Sequence, residues 1–232
     1  MDPLNRYPTM RTVIAGAHGK IARELTRHLV HQGHEVVGLI RNPEHNRDII
    51  SDGGTPEVVD LESSSADELA KVLAGADAVV FAAGAGPGSS AERKDTVDRA
   101  ASVLLADAAE IAGVKRFVQI SSMGADSVRD GQRPGGLDDI FYAYLQAKLA
   151  AEEDLAARSS FSWTIVRPGG LTDDPATGRV RLTSKTGQGS VPRKDVAAVI
   201  AALLETKLGD RQVLELISGE EAIPDALASI NR

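Results

Sequence analysis

The sequence predicts an α/β domain built on a single doubly wound parallel sheet with helices on both faces. Three observations carry the prediction. Short β-branched apolar runs alternate with longer stretches of helical period, several of those runs are apolar throughout, and a glycine-spaced turn sits between the first run and the first helix. Alternation of this kind marks βαβ units. A strand covered by helices on both faces has no reason to alternate polar and apolar side chains.

Taken in order, the first strand is expected at 12–15 and is followed by an amphipathic helix at 20–32. Strands at 35–40 and 57–59 come next, then a helix at 66–74 and a continuously apolar strand at 78–82. Residues 94–112 carry Val97, Ala101, Leu104, Ala108 and Ile111 at three- and four-residue steps, a helical stripe that packs on a sheet. A strand at 116–121, a helix at 140–158, a strand at 162–166, a helix at 195–206 and a last strand at 213–217 complete the alternation. The longest apolar run, 196–204, is about half the roughly 20 residues a membrane-spanning helix needs and reads as a core-facing helix.

No repeat and no linker rich in Gly, Ser or Pro divides the chain, so 11–232 is expected to fold as one domain. Residues 1–10 carry Asp2, Pro3 and Pro8 and lack a cationic-then-apolar signal pattern; they are expected to form a loose leader on a cytoplasmic protein. Three stretches break the alternation, 84–93, 123–139 and 168–191, all rich in Gly, Pro, Ser and Asp. Each follows the C-terminal end of an expected strand, where open α/β sheets bind ligands, so these loops are expected to form the pocket.

Composition narrows the function. The chain has 232 residues, 42% hydrophobic and 25% charged, which is ordinary globular usage. Its net charge of −7 disfavours a broad grip on phosphate backbones, and neither a nucleic-acid nor a membrane partner is expected. With no cysteine there is no disulfide framework, thiolate metal site or thiol nucleophile. His28, His31 and His34 drift around a helix rather than converging, so no metal is expected. Neither a Gly-x-Ser-x-Gly elbow nor a Gly-Lys-Ser/Thr phosphate loop occurs.

The first strand runs into Gly16-Ala17-His18-Gly19-Lys20-Ile21-Ala22. In this G-x-x-G-x-x-A spacing Gly16 permits a tight turn, Gly19 lets backbone amides approach a pyrophosphate, and Ala22 lets the helix pack close to the sheet. The pyrophosphate would sit on the helix N-terminus, among free N–H groups at the positive end of the dipole. Gly16, His18, Gly19, Lys20 and Ile21 are therefore candidate dinucleotide contacts. A carboxylate at the end of the second strand would select the 2′-hydroxyl of NAD, and an arginine the 2′-phosphate of NADP. That end carries Arg41, with Arg47 as a candidate second cation, so NADP(H) is the expected cofactor and NAD(H) the alternative. Asp60 and Leu61 after the third strand, and Ala82, Ala83 and Gly84 after the fourth, suit an adenosine lying against backbone.

Tyr144 and Lys148 are four apart on an expected helix and share a face. A nearby ammonium favours the phenolate and makes the phenol a better proton donor and acceptor near neutrality. Tyr142 faces elsewhere and is expected to wall the pocket. Ser121 and Ser122 end the fifth strand and bring hydroxyls to the same sheet edge, where one can hydrogen-bond a substrate oxygen.

Taken together, the Gly16–Gly19–Ala22 loop, Arg41, Asp60-Leu61, Ser121-Ser122, Tyr144-x-x-x-Lys148 and Val166-Arg167-Pro168-Gly169-Gly170 resemble the short-chain dehydrogenase/reductase superfamily. The chain is most similar to its atypical branch, the NmrA-like and flavin/biliverdin reductase-like groups, over nearly all of 11–230. The resemblance implies a Rossmann-type fold and catalysis by Ser122, Tyr144 and Lys148. Tyr144 would be the general acid/base, Lys148 would bind the nicotinamide ribose and tune Tyr144, and Ser122, with Ser121 as a second candidate, would orient the substrate oxygen. Pro168 and Gly169 would lie beside the nicotinamide. Ala22 stands where a third glycine is usual, and His18 where a small residue is common. The chain is too short after Pro168 for the substrate domain of sugar-nucleotide epimerases.

The expected function is hydride transfer between NADP(H) and a small carbonyl, hydroxyl or quinone/flavin-like substrate, by a monomer or homodimer. One alternative is a sugar-nucleotide epimerase or dehydratase with retained cofactor. The other is a non-catalytic dinucleotide-sensing regulator.

Overall fold

Val13, Ile14 and Ala15, fully buried, form the middle of a sheet that separates two apolar cores. The computed structural model describes residues 8–86 and 88–230. In chain order the elements are β1 (Arg11–Ala15), α1 (Lys20–His31), β2 (Glu35–Ile40), α2 (Asn46–Ser51), β3 (Thr55–Val58), α3 (Ala66–Leu73), β4 (Ala78–Phe81) and α4 (Ala91–Arg93). They continue with α5 (Ala101–Ala112), β5 (Arg116–Ile120), α6 (Asp139–Ala157), β6 (Ser162–Pro168), β7 (Gly170–Thr172), β8 (Arg179–Thr183) and β9 (Ser190–Pro192). The last are α7 (Arg193–Thr206), β10 (Gln212–Ser218), β11 (Glu221–Ala222) and α8 (Ile223–Ser229).

Strands β3-β2-β1-β4-β5-β6-β10 pair in parallel, and the strand order reverses between β1 and β4. A crevice opens at such a reversal, outside the carboxyl ends of the strands. One face of the sheet carries α1, α7 and α8 over Ile14, Val80, Val118, Val166 and Leu214. The other carries α3 and α5 over Val13, Val79, Phe117 and Ile165. β4 is buried at every residue, which is why its sequence reads as an unbroken apolar run; β5 is buried throughout as well, with Arg116 and Gln119 among its residues.

Three expectations are corrected. The sheet is not wholly parallel, because β8 and β11 add an antiparallel edge beyond β10. The loop expected at 168–191 holds three strands, of which β7 and β9 form a separate parallel pair. The helix expected at 94–112 is two segments: Lys94–Ala100 is wound as a π-helix and only Ala101–Ala112 is α-helical. Within the expected stripe Ala101 and Ala108 are buried, whereas Ile111 is exposed. Of the expected leader, residues 1–7 lie outside the described residues. Met10 is tied down, its N–H donating to His34 Nδ1 at 3.2 Å and its carbonyl accepting from Glu35 N–H. His34 itself is buried beside Glu205 rather than turned toward the other histidines.

Candidate functional site

At the crevice the turn after β1 closes on itself, with Gly19 N–H donating to Gly16 O at 2.9 Å. Gly16 has φ +76°, and a Cβ there would lie 2.5 Å from Ala83 Cα, so only glycine lets the turn approach the end of β4. Gly19 is the N-cap of α1 and caps with no side chain, which leaves N–H groups of the first turn free for an external acceptor. Ala22 is buried against the sheet.

In front of this turn lies a hollow of about 370 Å³, within the size range of ligand pockets. Its walls include Gly16, His18 and Gly19 from the turn, Arg41 after β2, Asp60 and Leu61 after β3, and Ala82, Ala83 and Gly84 after β4. Nearly every residue assigned from sequence to the adenosine half thus lines one cavity. Two do not. Lys20 points to a different hollow, where its Nζ meets Asp173 at 2.5 Å, and Ile21 packs against the core. A dinucleotide can still meet their backbone in the first turn of α1.

His18 leans on its neighbours: Nε2 lies 2.8 Å from Asp48 Oδ2 and the ring stacks on His45 at 3.5 Å. The hydrogen bond with His18, with Arg23 nearby, holds the Asp48 carboxyl below its ordinary range. His45 also lines the hollow, in a short 3₁₀ turn before α2 that sequence periodicity did not reveal.

The cation arrangement differs from expectation. Arg47 does not line the hollow, whereas Arg93, the last residue of α4, does. Arg41 Nη1 and Arg93 Nη2 each lie 2.9 Å from the same oxygen, Glu62 Oε2, and Thr96 Oγ1 donates to Glu62 Oε1 at 2.8 Å. Glu62 is placed by Asp60, whose Oδ1 accepts from the Glu62 N–H at 3.0 Å in a turn closed by the side chain.

On the far side of β4, α6 is capped by Asp138, whose side chain accepts from Phe141 N–H at 2.7 Å. One turn apart on it, Tyr144 and Lys148 come together as their spacing requires, with Lys148 Nζ 5.7 Å from the Tyr144 ring centroid. Lys148 is buried and already engaged: Nζ lies 3.1 Å from Asp98 Oδ1 and donates to Ile120 O at 3.3 Å. Asp98 in turn accepts from Ala85 N–H at 3.1 Å, joining the pair to the loop after β4. A second buried lysine, Lys94, holds its Nζ 5.3 Å from the Tyr144 ring and donates to Gly86 O at 2.7 Å. Lys94 and Asp98 sit on the π-helical turn, a rare geometry frequent at functional sites. Neither was singled out from sequence. A buried Lys and Asp four apart inside an apparently ordinary amphipathic helix were the available signal.

The two serines part company. Ser121 is buried with its hydroxyl donating to Glu152, which also takes both arms of Arg167, Nε at 2.9 Å and Nη2 at 2.5 Å. Ser122 is half-buried and donates only to the adjacent Met123 O at 3.3 Å, a contact easily exchanged for another. The Arg167 cluster extends through Asp126 and Lys185 to Glu215. Burial pushes both carboxyls up, but Lys185 and Arg167 at Asp126, and Thr186 N–H and Lys185 at Glu215, hold them below their ordinary ranges. Pro168 and Gly169 follow at the end of β6. A Cβ on Gly169 would lie 2.3 Å from Gly189 O, so this backbone is pinned to the segment entering β9. Tyr142 donates to Gly131 O at 3.4 Å and packs under Arg133.

Comparison with known proteins identifies the family and the fold. Residues 16–207 match a family described as NAD(P)H-binding. A protein of Bacillus subtilis named as an uncharacterised sugar epimerase is 29% identical over 95% of this chain and all of its own length. A solved structure from Bacillus halodurans, described provisionally as an NAD-dependent epimerase/dehydratase, is 34% identical with a TM-score of 0.85 over 95% of this chain and 100% of that one. An anaerobillin reductase from Escherichia coli O157:H7 is 25% identical with a TM-score of 0.75, covering 91% of this chain and 98% of its own.

Proposed function

The chain belongs to the NAD(P)H-binding family, within the atypical branch of the short-chain dehydrogenases/reductases, and from that premise we propose that it is an NADP(H)-dependent oxidoreductase acting on a flat carbonyl, quinone or flavin-like substrate. The observation that carries the proposal is the pairing of an adenosine-sized hollow, walled by Gly16, Ala83 and Arg41, with a tyrosine flanked by two buried lysines across β4. The residues fit a dinucleotide: a glycine cradle that a Cβ would fill, free N–H groups at the start of α1 for a pyrophosphate, and guanidinium groups within the same hollow.

When bound, the nicotinamide cofactor supplies reducing equivalents to the substrate. This chain supplies position and protons. Arg41 attracts the 2′-phosphate, the Gly16–Gly19 turn the pyrophosphate, and Pro168 and Gly169 give a fixed backbone wall for the nicotinamide. Tyr144 donates a proton from its hydroxyl to the substrate oxygen, assisted by the positive field of Lys94 and Lys148 on its ring. Ser122 Oγ exchanges its weak contact with Met123 for a hydrogen bond to the same oxygen. Ile140 and Phe141, exposed at the start of α6 with Phe141 stacked 5.7 Å from Tyr144, suit a flat apolar substrate. The partner is a small molecule, and the protein acts as a monomer or homodimer.

A sugar-nucleotide epimerase is the second reading, favoured by the names of two of the similar proteins. Following NADPH absorbance with a panel of quinones, flavins and carbonyls separates the two. Steady consumption with a panel member is expected. Tightly retained oxidised cofactor, with turnover of a nucleotide sugar and no net consumption, would favour the epimerase.

A further inference from the structure

Resting on the NADP(H) assignment above, we infer that Glu62 tempers discrimination between NADPH and NADH, by acting as a built-in competitor for the anion-binding face of Arg41 and Arg93. Two guanidinium groups that converge on one carboxylate oxygen, both at 2.9 Å, are arranged to hold an oxyanion from two sides. The anion they hold in this structure is Glu62. Its position is built: Asp60 fixes its backbone, Thr96 holds its second oxygen, and its side chain is 24% exposed against 59% for Arg41 and 41% for Arg93.

A 2′-phosphate seated on Arg41 brings a dianion against this carboxylate. To bind, it must displace Glu62 from Arg41 or accept the repulsion between like charges. The 2′-hydroxyl of NADH faces no such conflict, because it can donate a hydrogen bond to Glu62. Arg41 therefore draws the phosphorylated cofactor while Glu62 moderates that preference. Arg93, brought in from α4, is the second cation of the site. It offsets Glu62, and removing it leaves the carboxylate to Arg41 alone.

The test is a titration of the purified full chain with NADPH and NADH, comparing wild type with Glu62→Gln and Arg93→Ala. Glutamine keeps the shape and the Thr96 contact but removes the charge. In Glu62→Gln the Kd for NADPH is expected to fall about fivefold, the upper reach of a partly exposed ion pair, with NADH unchanged or weakened. In Arg93→Ala the Kd for NADPH is expected to rise by a similar factor with NADH unchanged. Nucleotide binding with an NADPH/NADH ratio unmoved by either substitution would overturn the role of Glu62 and leave the proposed function standing. A weakened NADPH affinity in Glu62→Gln would overturn it too, making Glu62 a support for Arg41. Failure of the wild type to bind either nucleotide would overturn both.

Discussion

Asp98 Oδ1 lies 3.1 Å from Lys148 Nζ, and both side chains are withdrawn from solvent between β4 and α6. Lys148 thus has an internal counter-ion, and its charge is held at a fixed place beside Tyr144. Removing one member of a buried pair strands the other, at a cost of about 3–5 kcal/mol. Asp98→Ala should lose stability on that scale in denaturant unfolding, and the double variant Asp98→Leu/Lys148→Met should recover much of it. A loss below about 1 kcal/mol in Asp98→Ala would mean the pair is solvated and does not fix Lys148.

Tyr144→Phe removes one hydroxyl and keeps the ring between Lys94 and Lys148. NADPH affinity should stay nearly constant while turnover falls roughly 10²-fold or more, as expected for loss of a general acid. Lys94→Met should lower turnover less, because one of the two cations whose field reaches the Tyr144 ring is gone while the hydroxyl remains. Unchanged turnover in Tyr144→Phe would assign proton transfer elsewhere.

Gly16→Ala places a Cβ 2.5 Å from Ala83 Cα at a φ of +76°. Gly136→Ala meets the same kind of φ, +85°, with nothing within 4 Å, and isolates the backbone strain from the clash. Gly136→Ala should lose stability on the order of 1–3 kcal/mol, and Gly16→Ala more, because its Cβ also meets backbone. Only Gly16→Ala should also weaken nucleotide binding, by about tenfold or more, since only there must the turn move away from β4. Equal effects on binding would remove the turn from the site.

Glu215 is buried and its carboxyl is held below its ordinary range. A carboxylate with a depressed folded-state pKa binds fewer protons folded than unfolded, so its stabilisation is present above the unfolded carboxylate range and is lost as pH falls through the folded value. The urea midpoint should therefore decline from about pH 5 downward. Glu215→Gln should lower the midpoint near neutrality and flatten that decline. An unaltered slope would assign the acid sensitivity to other carboxylates, among them Asp126 and Asp52.

The parts that were legible in the sequence are those fixed by short-range chemistry. β2 begins and ends where the sequence places it, and β1, β4 and β5 do so within a residue, because apolar side chains dominate these buried strands. Gly16, Gly19, Arg41 and the Tyr144–Lys148 spacing could be read because each depends on a turn or a helix face. The Glu62–Arg93 pair could not, since its members are 31 residues apart and meet only through the crossover from β3 to β4. Asp98 carries no motif of its own in the sequence and Ser121 reads as a strand end; each is defined by a distant partner, Lys148 or Glu152. The edge strands in 168–191 escaped because their runs are short and set among Gly, Pro and Ser. No helix among the described residues is long and apolar enough to cross a membrane, in keeping with the length of the 196–204 run.

The central claim is that the hollow between the Gly16 turn and Arg41 holds NADPH. Titrating wild type and Arg41→Ala with NADPH and NADH, following the fluorescence of the reduced nicotinamide, tests it most directly. NADPH should bind the wild type and weaken by about tenfold in Arg41→Ala, the loss of a charge-assisted phosphate contact, while NADH changes little. Binding of neither nucleotide to the wild type would contradict the claim.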